Sequence, residues 1–164
     1  MTGWPADSQN ALVQFYGLPG VHDEDRLWMA QNLVQIAQPW SMVLSWAVNT
    51  PVSHFRIHRL CASSLQRVFD SIWAKSEQSQ EQINSWGLNL FGGSYNFRPV
   101  RGSSRLSCHA FGCAIDFDPD HEQMRTPGHM AREVVKSFTD EGWFWGGNFR
   151  ERKDPMHFQA TDGA

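Results

Sequence analysis

Neither a secretory signal nor a long apolar run is legible in the sequence, and the chain is expected to fold in the cytoplasm. Asp7, Asp23, Glu24 and Asp25 lie near its start, with no lysine or arginine before Arg26, so the positive n-region and apolar h-region of a secretory signal are missing. No run of about 18 apolar residues is present that could span a bilayer, and no stable membrane association is expected. Cysteine is scarce and odd in number: Cys61, Cys108 and Cys113 cannot all pair, and in a chain expected to fold in the cytoplasm they are read as free thiols. Positive charge is not in excess either. A formal net charge of -3 leaves no basic stripe for a phosphate backbone, so nucleic acid is not an expected partner.

Several chemical signatures are absent as well. Neither HExxH nor G-x-S-x-G occurs, nor a phosphate-binding glycine motif, nor an internal repeat or low-complexity segment. The run Asp116-Phe117-Asp118-Pro119-Asp120 begins like a calcium loop, but it has His121 at the sixth position and Pro127 at the twelfth, where Gly and Glu are required. Cys108-x4-Cys113 has no second cysteine pair to complete a metal site.

What is present suits one globular domain. With 164 residues, 41% apolar and 19% charged, the chain can bury about 70% of its unfolded surface around its own core. The local pattern predicts a short helix over 8–15 and a second over 23–37, where three acids precede Leu27, Ala30, Val34 and Ala37 at helical spacing. Alternation from Trp40 to Trp46 predicts a strand, Asn49-Thr50-Pro51 a turn, and Val52 to Ile57 a returning strand. Leu60, Cys61, Ser64, Leu65, Val68, Phe69, Ile72 and Trp73 form the clearest amphipathic helix. Residues 75–86 extend it or form a loop. Thr126-Pro127 reads as N-cap and first residue of a later helix with Met130, Val134 and Phe138 on one face and Gly142 as its stop, and 143–145 and 156–159 read as strands.

The chemistry concentrates between Ser107 and Asp118, where His109 and Asp116 lie in an otherwise apolar stretch. A buried carboxylate costs several kcal/mol unless it is paired, hydrogen-bonded or bound to a metal. In a strand, Ala114, Asp116 and Asp118 share one face and Ile115 and Phe117 the other, and Gly112 lets the chain bend so that His109 reaches the side of Asp116. Asp118 is expected to end the strand facing solvent. A catalytic zinc takes three protein ligands and keeps an open position; His109 and Asp116 supply two, and His157, on the last strand-like segment, is the best placed third. His22, His54, His58, His121 and His129 read as surface or capping histidines. Asp154 precedes Pro155, which disfavours helix there, and its carboxylate serves either as a proton acceptor beside a metal or as a turn cap. Arg98 and Arg101 are solvated, or hold a substrate carboxylate or stabilise an oxyanion.

Taken in order, Ser107-x-His109-x2-Gly112-x-Ala114-x-Asp116 followed by Asp154-x2-His157-Phe158 resembles the zinc peptidases of the D-alanyl-D-alanine carboxypeptidase (VanY-like) and L-alanyl-D-glutamate endopeptidase family, which share a fold with the hedgehog signalling domain. The likeness covers residues 92–159, and 95–103 is similar to the corresponding stretch of short phage and prophage members. The resemblance implies Zn2+ held by His109, Asp116 and His157, with Asp154 as general base and acid. It implies an arginine that polarises the scissile carbonyl, Arg98 first and Arg101 second, with Arg101 and Ser107 on the substrate side. Asp154 stands where many members carry Glu, and Gln159 where Glu often follows. The fold expected is α+β: a small, mainly antiparallel sheet carrying the zinc site on adjacent strands, with helices around 60–75 and 127–140 packed against it. Residues 1–50 have no clear counterpart and are read as a brace or a wall-binding element. The implied activity is hydrolysis of peptide bonds in peptidoglycan stem peptides, as an endopeptidase or a carboxypeptidase. A phage endolysin of this kind would act as a monomer, gather in the host cytoplasm and reach the wall at lysis. The rival readings are a non-catalytic binding module and a virion structural component.

Overall fold

A computed structural model describes residues 3–20 and 26–163 of the chain. Among them are five α-helices, Gln9–Tyr16 (α1), Arg26–Asn32 (α2), Ala62–Lys75 (α3), Gln80–Ser85 (α4) and Arg132–Asp140 (α5). Eight strands accompany them: Leu33–Ile36 (β1), Val43–Leu44 (β2), Ala47–Pro51 (β3), Phe55–His58 (β4), Leu90–Gly93 (β5), Ala114–Phe117 (β6), Phe144–Trp145 (β7) and His157–Gln159 (β8). Two single 3-10 turns, Cys108–Phe111 and Gly146–Asn148, flank the functional region. Six strands form one sheet in the order β3-β2-β5-β6-β8-β7, antiparallel throughout except for the parallel pair β2 and β5, while β1 and β4 pair separately. This is the expected α+β architecture with a mainly antiparallel sheet.

The amphipathic patterns explain how the helices seat. Leu65, Val68, Phe69 and Ile72 recur at helical spacing on α3 and are fully buried, each contributing about 1.5–3 kcal/mol of burial free energy. On α5, Val134 and Phe138 face inward, and the Phe138 ring stacks on Phe158 of β8 with centroids 3.9 Å apart. That contact backs the strand carrying His157. Strand β6 buries Ala114, Ile115 and Phe117, so Asp116 is its one polar residue.

The N-terminal segment packs on the C-terminal part of the chain. Trp4 donates from Nε1 to the Glu141 carbonyl at 2.9 Å, and its ring packs edge-on against Trp143. Tyr16 donates its hydroxyl to the carbonyl of Ala160, just after β8, at 2.7 Å.

Several local expectations are corrected. The helix expected over 23–37 ends at Asn32, and residues 33–36 pair as β1 with β4 in the register Leu33 to His58, the strand partner outweighing a helical spacing of apolar residues. Residues 23–25 of that helix, and His22, lie outside the described residues. The strand expected from Trp40 shrinks to Val43–Leu44, and the chain reverses at Ser45-Trp46 rather than at Asn49-Thr50-Pro51, which belongs to β3. Pro51 is tolerated because β3 is the edge of the sheet, where its missing N–H breaks no ladder. The returning strand starts only at Phe55. After α3 the chain breaks and forms a separate short helix, α4, capped by Ser79, whose Oγ accepts from Gln82 N. Helix α5 begins at Arg132, not at Pro127: Thr126 donates its hydroxyl to the Gln123 carbonyl, closing a turn, and the buried Glu122 carboxylate accepts from His129 N at 2.6 Å.

Asp118 and His58 also depart from expectation. Asp118 leaves the strand at φ 54°, is 7% exposed and pairs with His121 Nδ1 at 2.7 Å. Its carboxylate occupies the space beside Gly87, where an added Cβ would come within 2.3 Å of Oδ2. His58 is fully buried in the core: Nε2 meets the Tyr16 carbonyl at 3.0 Å, and Nδ1 accepts from Leu60 N at 3.1 Å.

Candidate metal and catalytic site

His109 is carried not by a strand but by the 3-10 turn 108–111, which corrects the expectation that all three ligands sit on adjacent strands. Ser107 starts the turn, its Oγ accepting from His109 N at 3.1 Å, and Gly112 ends it in the left-handed region at φ 68°. An added Cβ at Gly112 would come within 2.7 Å of Leu33 Cδ2 and 3.1 Å of His58 N, so glycine is required by both conformation and space. The expected bend at this glycine is therefore present. Asp116 and His157 face each other directly across the antiparallel pair β6 and β8.

The hydrogen bonds assign the ring nitrogens. His109 Nδ1 lies 2.7 Å from the Ser94 carbonyl, which only accepts, so Nδ1 carries a proton and, in the neutral ring, Nε2 is the nitrogen left with the lone pair. His109 Nε2 is buried, 3.2 Å from Asp116 Oδ2, yet it has no hydrogen-bond partner there: the approach is close without the alignment a hydrogen bond needs. His157 presents Nδ1 to Asp116 Oδ1 at 2.9 Å and Nε2 to Gln159 Oε1 at 2.8 Å. One ligating atom from each of His109, Asp116 and His157 lies within 4.8 Å of the others. Two imidazole nitrogens, one a buried orphan, and one carboxylate fit a divalent ion of the zinc type.

The electrostatics agree with a cation site. Burial pushes the Asp116 carboxyl up, but His109 and then His157 outweigh it and hold it well below the usual carboxylate range. Burial pulls the His157 imidazole down, but the hydrogen bond and charge of Asp116, with Asp154 behind, raise it to about 9. A proton there stands where a metal would bind, so the two compete.

Asp154 sits in the turn that leads to β8. Its N donates to the Gly146 carbonyl at 2.8 Å and its carbonyl accepts from His157 N at 3.0 Å, while its Oδ1 is buried without a partner. The turn is thus closed by backbone groups, leaving that carboxylate oxygen unengaged. Burial raises its pKa most; His157 opposes the shift, Asp116 adds to it, and His109 and Arg98 oppose it. A cleft of about 430 Å3 opens on the site, with Trp46, Tyr95, Asn96, Arg98, His109 and Asp116 among its lining residues.

The structure thus brings together His109, Asp116 and His157, with Asp154 and Arg98 in electrostatic reach. Arg101 is exposed and does not line the cleft; its carbonyl accepts from Arg152 at 3.2 Å. Ser107 is buried, and its hydroxyl caps the ligand turn. Sequence reasoning missed Ser94, whose carbonyl orients His109, and two glycines packed against the site. An added Cβ at Gly92 would approach Asp116 Cβ to 3.0 Å, and one at Gly146 would meet the Asp154 carbonyl oxygen at 2.3 Å and His157 Cβ at 3.1 Å. The signal was there: Gly92-Gly93 and Gly146-Gly147 interrupt strand-like stretches, where glycine marks close approach of another group.

No curated protein and no solved structure matched the chain. A family model did, over residues 101–160. That segment, which contains His109, Asp116, Asp154 and His157, matches the D-alanyl-D-alanine carboxypeptidase family, the same family that the ordered motif resembles.

Proposed function

We propose that this protein is a zinc-dependent peptidase that hydrolyses peptide bonds in the stem peptides of bacterial peptidoglycan. The observation that carries the reading is the convergence of His109, Asp116 and His157 within 4.8 Å beside the unpartnered Oδ1 of Asp154, and the family match over 101–160 supports it.

His109 Nε2, Asp116 and His157 Nδ1 would hold the ion. When bound, a divalent zinc ion polarises a carbonyl as a Lewis acid and lowers the pKa of water to about 7. Asp154 takes the proton from the attacking water and passes it to the leaving amine. Its raised pKa suits the first of these steps, because a more basic carboxylate accepts the proton from water more readily. Arg98, in the cleft wall, faces the scissile carbonyl and stabilises the negative charge that develops on its oxygen. Trp46, 66% exposed at the hairpin turn, offers an apolar rim against which the rest of the substrate lies.

Protein purified without chelator is expected to carry close to one zinc per chain, with hydrolysis lost on chelation and restored by zinc. Stoichiometry near zero, with hydrolysis indifferent to chelation, would end this reading. The finer proposal is a phage or prophage endolysin, supported by the likeness of 95–103 to short phage members. Produced in a bacterial cytoplasm, it is expected to lyse cells only when a membrane-opening protein is co-expressed, and lysis without one would contradict that role.

A further inference from the structure

We propose that Asp7, just ahead of α1, is a positioning residue of the metal centre: it holds the side-chain amide of Gln159 in the orientation that leaves Nδ1 of His157 available to a metal ion. The inference rests on the reading of His157 as a ligand.

An imidazole that binds a metal through one nitrogen carries its proton on the other and needs an acceptor for it. His157 turns Nδ1 to Asp116 and Nε2 to Gln159 Oε1 at 2.8 Å. A glutamine amide can present either end. Reversed, it would set an NH2 opposite Nε2, favouring the tautomer whose proton sits on Nδ1, where the metal must go. The reversal is opposed on the far side of the amide, where Gln159 Nε2 donates to Asp7 Oδ2 at 3.0 Å and to Thr161 Oγ1 at 2.8 Å. A hydroxyl both donates and accepts, so Thr161 tolerates either orientation. A carboxylate only accepts, so a reversed amide would set oxygen against oxygen at Asp7. Gln159 is 2% exposed, which leaves little room for water to relieve that contact. Asp7 is itself held through its other oxygen by the Arg105 guanidinium. The relay Asp7, Gln159, His157, Asp116 therefore ties a residue just ahead of α1 to the ligand set.

The test is zinc affinity by chelator competition, together with the visible absorption of the cobalt-substituted protein and the melting temperature of the metal-free form. Asp7→Ala should bind zinc at least about 10-fold more weakly and alter the cobalt spectrum, the range expected when a partner of a ligand is removed. Asp7→Asn, which can still turn an amide oxygen toward Gln159, should stay within about threefold, and Arg105→Ala, which spares the carboxylate, within about twofold. Wild type that binds no metal would defeat the ligand reading itself. Wild type that binds, with folded Asp7→Ala binding equally well, would overturn only the relay. Losses that follow melting temperature across all three variants would reduce Asp7 to a structural role and also overturn it. Should Asp7→Ala fail to fold, Gln159→Glu should weaken zinc binding by opposing Asp7, and adding Asp7→Asn should recover it. Additive effects of those two changes would refute the coupling.

Discussion

Gly146 packs closely against Asp154, the proposed proton acceptor. Asp154→Asn keeps the turn, because the turn is closed by backbone groups, but removes the group proposed to take the proton. The expected result is a loss of about 10²–10⁴ in kcat with zinc stoichiometry and melting temperature unchanged. A variant that kept wild-type turnover would show that another group moves the proton. Gly146→Ala introduces a methyl 2.3 Å from the Asp154 carbonyl oxygen and 3.1 Å from His157 Cβ, so base and ligand must both shift. Its expected signature is weaker zinc binding together with lower turnover, read by chelator competition and kinetics, and wild-type values for both would contradict the packing. At this scale much was legible in advance. His109, Asp116 and His157 are polar groups in apolar or strand-like contexts whose types suggest a ligand set, whereas Asp154 by itself read equally as a turn cap, and its role as a base came from the family resemblance. Ser94 was not legible, because it acts through its backbone carbonyl, which every residue possesses.

The ligand turn 108–111 is the element on which the site depends most. Ser107 was expected on the substrate side, and its hydroxyl instead accepts from His109 N inside the protein. Ser107→Ala should therefore lower stability by about 1 kcal/mol and weaken zinc binding while leaving KM unchanged; a raised KM with zinc affinity intact would return Ser107 to the substrate. Periodicity located α3 and the last two strands within a few residues because each buries a face whose spacing is local. It failed at β1, where helical spacing gave way to a partner strand some twenty residues away. It also failed at Thr126-Pro127, where a capping pattern closes a turn around the buried Glu122 instead. Both errors arise where tertiary contact overrides local preference.

At the scale of the whole molecule, the buried His58 ties α1 to the core. Burial, offset in part by the Tyr16 carbonyl, lowers its pKa to about 4, and the neutral ring is the form that both donates to Tyr16 and accepts from Leu60 N. Its folded pKa lies below the unfolded value of about 6.5, so the unfolded chain binds the extra proton. Stability from this group is complete above about pH 6.5 and is lost as the pH falls toward 4, by up to about 3 kcal/mol. Urea unfolding of metal-free protein across that window should show a steeper loss for wild type than for His58→Gln; equal slopes would contradict the assignment. The proposed hydrolysis is tested most directly by incubating purified peptidoglycan with the zinc-loaded protein and measuring newly released amino groups, with chelated protein and Asp154→Ala in parallel. Amino groups should be released by the zinc-loaded wild type alone, and mass spectrometry of the products would name the bond cut. No release by folded, zinc-loaded wild type, or equal release by Asp154→Ala, would contradict the proposal.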